Sequence, residues 1–211
     1  GLQRIGRPPV VYAPTHGALA RELQTAGIDV VSSLDAVAVP PDIVHGHHHV
    51  QMVEALLRFP GARGLFVCHD RTAPAAAPPR MSRIRRYVAV DLNCRERLDA
   101  EDGIPAADRR VILNAVDLDR FERRGPLPRH PRRALVFSHY AAPGTHLDAV
   151  RDACARLGLS VDVLGDAAGS ASAAPETRLG EYDVVFAKAR CALEAMAVGA
   201  AVVLCDAAGL G

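Results

Sequence analysis

The sequence predicts an α/β protein built on parallel sheets flanked by helices. Three observations predict it. Short, continuous apolar runs recur along the 211 residues, and strands of that kind are buried on both faces. Segments with helical apolar spacing alternate with these runs, as in βαβ units. Proline and glycine stand at the junctions. The composition agrees: 49% hydrophobic and 23% charged residues belong to a chain with a packed core and exclude a disordered one.

Val10 to Ala13 reads as a buried strand between Pro9 and Pro14. Thr15-His16-Gly17 opens a helix that carries Leu19, Leu23 and Ala26 on one face and ends at Gly27. Ile28 to Val31 and Asp42 to His45 read as the next two strands. Gln51 to Arg58 is helical, with Met52, Val53, Leu56 and Leu57 on one face and Pro60-Gly61 as its stop. Gly64 to Cys68 is a strand ending in His69-Asp70, and Thr72 to Pro79 is a loop. Tyr87 to Val90 is a strand, Asn93 to Ala100 a polar helix, and Val111 to Leu113 a strand. From Arg120 to Arg133 the apolar period stops and proline and arginine dominate, which marks a linker. A second series follows. Leu135 to Phe137 is a strand, and Thr145 with Asp148 forms a capping box for a helix bearing Leu147, Val150, Cys154 and Leu157. Val161 to Leu164, Tyr182 to Phe186 and Ala201 to Cys205 are strands, with a loose loop from Gly165 to Pro175 and a helix from Cys191 to Val198. The expected organisation is a first domain over 1–122, a linker over 123–133 and a second, shortened domain over 134–211.

The net charge is +1, so no global field favours nucleic acid. Aromatics are 4% of residues and tryptophan is absent, so the basic clusters at Arg83 to Arg86 and Arg120 to Arg133 lack the interleaved rings of a nucleic-acid surface. They read as solvated surface and linker. Lys188 is the only lysine among many arginines. The five cysteines are scattered, with no C-x-x-C pair, and read as reduced thiols of a cytoplasmic protein. The longest uncharged apolar stretch, Ala195 to Cys205, is about half a membrane span. The first residues carry no apolar signal core.

Ligands of parallel sheets sit at the carboxyl ends of strands. Most of the histidines fall there: His16, His45 to His49, His69 and His139. Imidazoles there can bond hydroxyls or phosphate and move protons near neutral pH. In an extended segment His45, His47 and His49 would share one face, the start of a three-histidine metal site. No carboxylate or cysteine has ligand spacing beside them, so no metal is expected. For His69-Asp70 a catalytic pair stands against a plain alternative, Asp70 as a helix cap. Lys188 and Arg190 stand at the turn from the third apolar run of the second series, Tyr182 to Phe186, into a helix, a combination suited to a diphosphate. Glu194, one turn further on, is costly in so apolar a helix unless exposed or paired. Its plain alternative is a surface glutamate paired with Arg190. Gly209-Leu210-Gly211 is a short glycine signal after a strand, usually no more than a turn.

Several stretches resemble GT-B glycosyltransferases, specifically the retaining family 4. They are Asp42-Ile43-Val44-His45-Gly46-His47, Val67-Cys68-His69-Asp70, Tyr87 to Asp91, Val111 to Phe121 with its Asn114-x-Val116-Asp117-x-x-x-Phe121 ending, and Leu193 to Val203. The resemblance runs in order over nearly the whole chain. It implies two Rossmann-like domains, an acceptor-side domain first and a donor-side domain second. It also implies transfer of a sugar from a nucleotide-activated donor with retention of configuration and without a metal or other cofactor. By match, Glu194 would bond the donor ribose, His69 with Asp70 would stand at the transferred sugar, and Gly17 would let the first loop approach it. Gly209 and Gly211 would lie beside the diphosphate or sugar. His139, Lys188 and Arg190 are expected on the donor, and His16, His45 and His47 on the acceptor or sugar. The acceptor is a glycan, lipid or small molecule, with peripheral membrane association allowed, nucleic acid excluded and oligomeric state undefined.

The departures define the alternatives. Phe186 stands where the family often has a second glutamate, Ala201 replaces a proline, and Ser138-His139-Tyr140 replaces the usual arginine and lysine. A sugar-nucleotide epimerase or hydrolase, or a non-catalytic scaffold or fragment, therefore compete with an active transferase. The 211 residues leave a donor-side domain well short of its ordinary size, which leads us to expect a truncated or trimmed chain.

Overall fold

The first apolar runs become short parallel strands. A computed structural model describes residues 2–206 and 209–210, and the chain divides into two compact units, 1–113 and 114–211. In the first unit β1 (Val10–Tyr12) pairs with β2 (Asp29–Val31) across helix α1 (Ala18–Thr25). A separate sheet follows in the order β3 (Ile43–Gly46), β4 (Arg63–Cys68), β5 (Ile84–Ala89), β6 (Arg109–Val111), every neighbour parallel. Helices α2 (His49–Arg58) and α3 (Leu92–Ala100) make the crossovers.

Helix α2 buries Met52, Ala55 and Leu56; of the expected face Met52 and Leu56 are inside, whereas Leu57 is 67% exposed, because the buried stripe runs i, i+3, i+4. Met52 explains two glycines. A Cβ at Gly46 on β3 would run into the Met52 sulfur and lie 2.8 Å from its Cβ, and one at Gly64 on β4 would strike the Met52 methyl. The two glycines thus make a slot for one side chain and fix where β3 ends. Gly46→Ala should cost about 1–3 kcal/mol by overpacking. Thermal melts of Gly46→Ala in the native and Met52→Ala backgrounds check this, the cost being expected to shrink in the second.

The basic cluster at Arg83 to Arg86 is partly structural. Arg83 donates to the carbonyls of Leu56, Phe59 and Ala62 at the end of α2, where free carbonyls attract a cation. Arg86 pairs with Asp108 at 2.9 Å. The sixth strand is Arg109–Val111, displaced from the apolar residues 111–113 that suggested it. It has a strand neighbour on one side only. There Arg109 is tied to Asp99 at 2.8 Å and to the Ile104 carbonyl at 2.5 Å, so a polar strand is accommodated.

The second unit carries the order β11-β10-β9-β7-β8. Strands β7 (Arg133–Phe137), β8 (Ser160–Leu164), β9 (Val184–Ala187) and β10 (Ala201–Asp206) are parallel, and β11 (Gly209–Leu210) runs antiparallel to β10. Along β7 the side chains alternate between two cores. Leu135 and Phe137 pack with residues of α5 (Glu176–Leu179) and α6 (Ala189–Val198), whereas Ala134 and Val136 pack with Leu147, Val150 and Cys154 of α4 (His146–Arg156). A strand covered on both faces needs a continuous apolar run. Thr145 caps α4 through the Leu147 amide, while Asp148 accepts from Gly144 rather than from the cap residue itself. Phe121 is buried in this unit's core. Arg124 donates to the Tyr182 carbonyl and to Asp183, so the Arg-rich segment is held against the second sheet. Among the described residues no helix is long and apolar enough to cross a membrane.

Candidate functional site

The strand order places two groups of polar residues at carboxyl ends, one in each unit. In the first unit β3 ends at Gly46 and β4 at Cys68, side by side, with Gly46 in register with Phe66. The turns that follow carry His47 and His69. Nδ1 of His47 lies 2.7 Å from Nε2 of His69, their rings are stacked with centroids 5.0 Å apart, and the His45 ring lies 4.6 Å from that of His47. Burial, then the neighbouring imidazoles of His45, His69 and His48, push the His47 pKa down to about 4. Burial leads the downward shifts of His45 and His69 as well. At neutral pH these three rings are therefore uncharged.

The strand alternation that put His45, His47 and His49 on one face does not hold. The strand stops at Gly46, α2 begins at His49, and its Nδ1 bonds the Ala77 carbonyl at 2.9 Å. His69, from the next strand, takes its place beside His47. Among the described residues no group of three or more histidine, cysteine or acidic side chains is arranged to hold a metal ion.

Asp70 does structural duty. Its Oδ1 accepts from the amides of Thr72 and Ala73, both at 2.7 Å, and from the Thr72 hydroxyl. Arg97 of α3 donates to the carbonyls of Asp70 and Ala73. The turn that carries His69 is thereby locked. His16 is exposed in the loop after β1. Gly17 precedes α1 with φ −106° and open space where a Cβ would stand.

In the second unit the chain leaves β7 once toward β8 and once, through β9, in the opposite direction. The carboxyl ends of β7 and β9 flank this switch point, where doubly wound sheets bind ligands. Beyond β7, His139 Nδ1 pairs with Asp166 at 2.8 Å. A Cβ at Gly165 would collide with the Ser138 carbonyl, so only glycine lets these two turns touch. Beyond β9, Lys188 is the residue before α6 and Ala189 opens the helix at φ +49°. Ala189 is the only non-glycine among the described residues with positive φ. A bent entry of this kind is a strained feature that surrounding structure must hold.

Arg190 Nε donates to Glu194 Oε1 at 2.8 Å, the i, i+4 pair that spacing anticipated. Glu194 is not a surface residue, however: it is 7% exposed, while the Arg190 side chain is 67% exposed. Sequence reasoning missed a neighbour of Glu194. Arg120 pairs with Glu176 at 2.8 Å and donates to the Ala173 carbonyl. The Glu176 bond, then Glu176 and Glu194 as nearby charges, raise the Arg120 pKa further. The same bond holds Glu176 below its usual carboxylate range. No sequence signal joins residues so far apart. Gly209 lies in β11, and Gly211 is outside the described residues.

No protein-family profile matches the chain, and no curated protein matches it. Solved structures do. A glycosyltransferase from Rickettsia africae ESF-5 aligns with 95% of this chain and 72% of its own, at 16% identity and a TM-score of 0.66. A chain of the GtfA/B complex aligns with 80% of this chain and 43% of its own, at 14% identity and a TM-score of 0.52. At these identities the likeness is one of fold.

Proposed function

We propose that this chain is a GT-B-type glycosyltransferase that moves a sugar from a nucleotide-activated donor to an acceptor with retention of configuration, as in the retaining family 4. The observation that carries this reading is Glu194: a buried carboxylate one turn inside α6, at the switch point of a doubly wound sheet, where an acceptor of hydroxyl hydrogen bonds suits a ribose. The bent entry at Ala189 and the similarity in fold to a glycosyltransferase structure support it. In this reading the donor diphosphate lies by the start of α6, beside Lys188 and Arg190, with His139, Gly209 and Gly211 as further donor contacts. As the sugar departs, charge develops on the diphosphate, and fixed cations and helix amides stabilise it. In the first unit His69 stands at the transferred sugar, on the turn that Asp70 holds. Gly17, His16, His45 and His47 line the sugar or acceptor. No cofactor is required beyond the donor. The acceptor is a glycan, a lipid or a small molecule.

Calorimetric titration with nucleotide sugars, followed by product analysis by proton NMR with and without acceptors, tests the reading. Saturable binding and an acceptor product of retained configuration support it. Failure of every nucleotide sugar to bind overturns it, and binding without turnover points to a scaffold. Lys188→Ala should weaken nucleoside-diphosphate binding about tenfold, the worth of one charge-assisted hydrogen bond. Unchanged affinity in the same titration removes Lys188 from the donor site. A second reading, hydrolysis or epimerisation of the sugar nucleotide, draws on the His139–Asp166 pair, an acid-oriented imidazole suited to proton transfer. Turnover without acceptor would favour it.

A further inference from the structure

The imidazoles at the ends of β3 and β4 form a hydrogen-bonded dyad inside a histidine cluster. At 2.7 Å between His47 Nδ1 and His69 Nε2, one nitrogen carries the hydrogen and the other offers its lone pair. Whichever way the hydrogen sits, Nε2 of His69 is occupied. Among the described residues no hydrogen bond engages its Nδ1. Both rings are braced from below. Gly46 and Met52 fix where β3 ends, and Asp70 and Arg97 lock the turn that carries His69.

We propose that His47 is a positioning residue for His69: it holds the ring by Nε2 and leaves Nδ1 as the nitrogen presented to a ligand. Its catalytic meaning rests on the reading of His69 as a sugar contact, but the ring geometry does not.

The groups around the dyad set its proton chemistry. From β3 and its turn come His45 and His48. His49 of α2 is spent on the Ala77 carbonyl. Asp70 is spent on backbone amides, and Arg97 of α3 on backbone carbonyls. Asp91, at the start of α3, caps the Cys94 amide, and the Cys68 and Cys94 thiols are buried. A first proton on the dyad keeps an N–H···N bond. A second sets two N–H groups against each other and breaks it. The pair therefore titrates as a unit, and His69 is released only when both rings are charged.

The test is nitrogen-15 NMR of the imidazoles in the full chain between pH 4 and 8, with kcat/KM measured over the same range. In the native protein the Nε2 signal of His69 should carry the shift of a hydrogen-bonded nitrogen, and the ring should stay neutral below its ordinary titration range. In His47→Ala that shift should be lost and the ring should titrate closer to about 6.5, with kcat/KM lowered about tenfold or more by loss of orientation. His47→Asn, whose amide can bond the same nitrogen but does not titrate, should restore the hydrogen-bonded Nε2 signal of His69. Imidazole signals of His69 that are identical in native and His47→Ala protein overturn the dyad. Altered signals with an unaltered kcat/KM profile overturn the positioning role. If no sugar transfer is found in any variant, the glycosyltransferase reading falls, while the NMR arm still decides whether His47 orients His69.

Discussion

Glu194→Ala is expected to weaken nucleotide-sugar binding by about a hundredfold or more, with the fold intact. In the proposed site the carboxylate accepts from two ribose hydroxyls, Oε1 doing so while it also accepts from Arg190, and each hydrogen bond to a charged group is worth about 1.5–3 kcal/mol. Loss of two such bonds is a factor of about a hundred or more in affinity. Glu194→Gln keeps one acceptor oxygen and should lose about half of that factor on a logarithmic scale, roughly tenfold. The structural cost is small because the partner left behind, Arg190, has a side chain 67% exposed and stays hydrated. Titration calorimetry with a nucleoside diphosphate sugar, alongside a thermal melt, separates the two effects. Equal affinity in native and Glu194→Ala protein would remove the carboxylate from the donor site.

Asp183→Ala should unfold the second unit far more readily. Asp183 is 7% exposed. Its carboxylate accepts from Arg124 Nη2 at 2.9 Å, the Arg132 amide at 2.9 Å and the Arg133 amide at 3.2 Å. Removing it leaves a guanidinium with a side chain 15% exposed and two amides without an acceptor. Breaking one side of such a buried pair costs about 3–5 kcal/mol. The midpoint of thermal unfolding should fall by at least about 10 °C. Arg124→Ala should be costly too, and the double variant less costly than the sum. A fall of only a degree or two would show the network to be dispensable.

The pH dependence separates the units. Burial alone would raise the Asp183 pKa. The two amide bonds and the Arg124 guanidinium outweigh it and hold the group below its usual value. Its contribution is therefore complete above the unfolded carboxylate value near 4 and fades only as pH falls further. The histidine cluster behaves differently. Its folded pKa values lie below about 6.5, with His47 near 4. The unfolded chain binds protons first, and the first unit loses stability as pH falls from about 6.5 toward 4. A tryptophan-free chain can be followed by circular dichroism across both windows.

Much of the fold was legible. The run Leu135-Val136-Phe137 announced a strand buried on both faces, because only such a strand lacks polar alternation, and β7 feeds two cores. The stripe of Met52 and Leu56 announced the buried face of α2. The i, i+4 spacing announced the Arg190–Glu194 bond. Less legible was the start of β9. Tyr182 and Asp183 read as strand, but Asp183 is held as an anchor for Arg124 and the β7 amides, and the strand begins at Val184.

The candidate sites divide in the same way. Sequence by itself determined the α/β class, the order of the elements and the placing of histidines after strands, because periodicity and turn residues act over a few neighbours. Only the tertiary structure decided that His47 meets His69 and not His49, that Glu194 is buried, that Arg120 and Glu176 stand near it, and that Asp70 serves its own turn. Each of these depends on which strands lie side by side and where a helix begins. Those outcomes are set by packing between distant segments, such as Met52 in the slot between Gly46 and Gly64, and no local pattern in the chain encodes them.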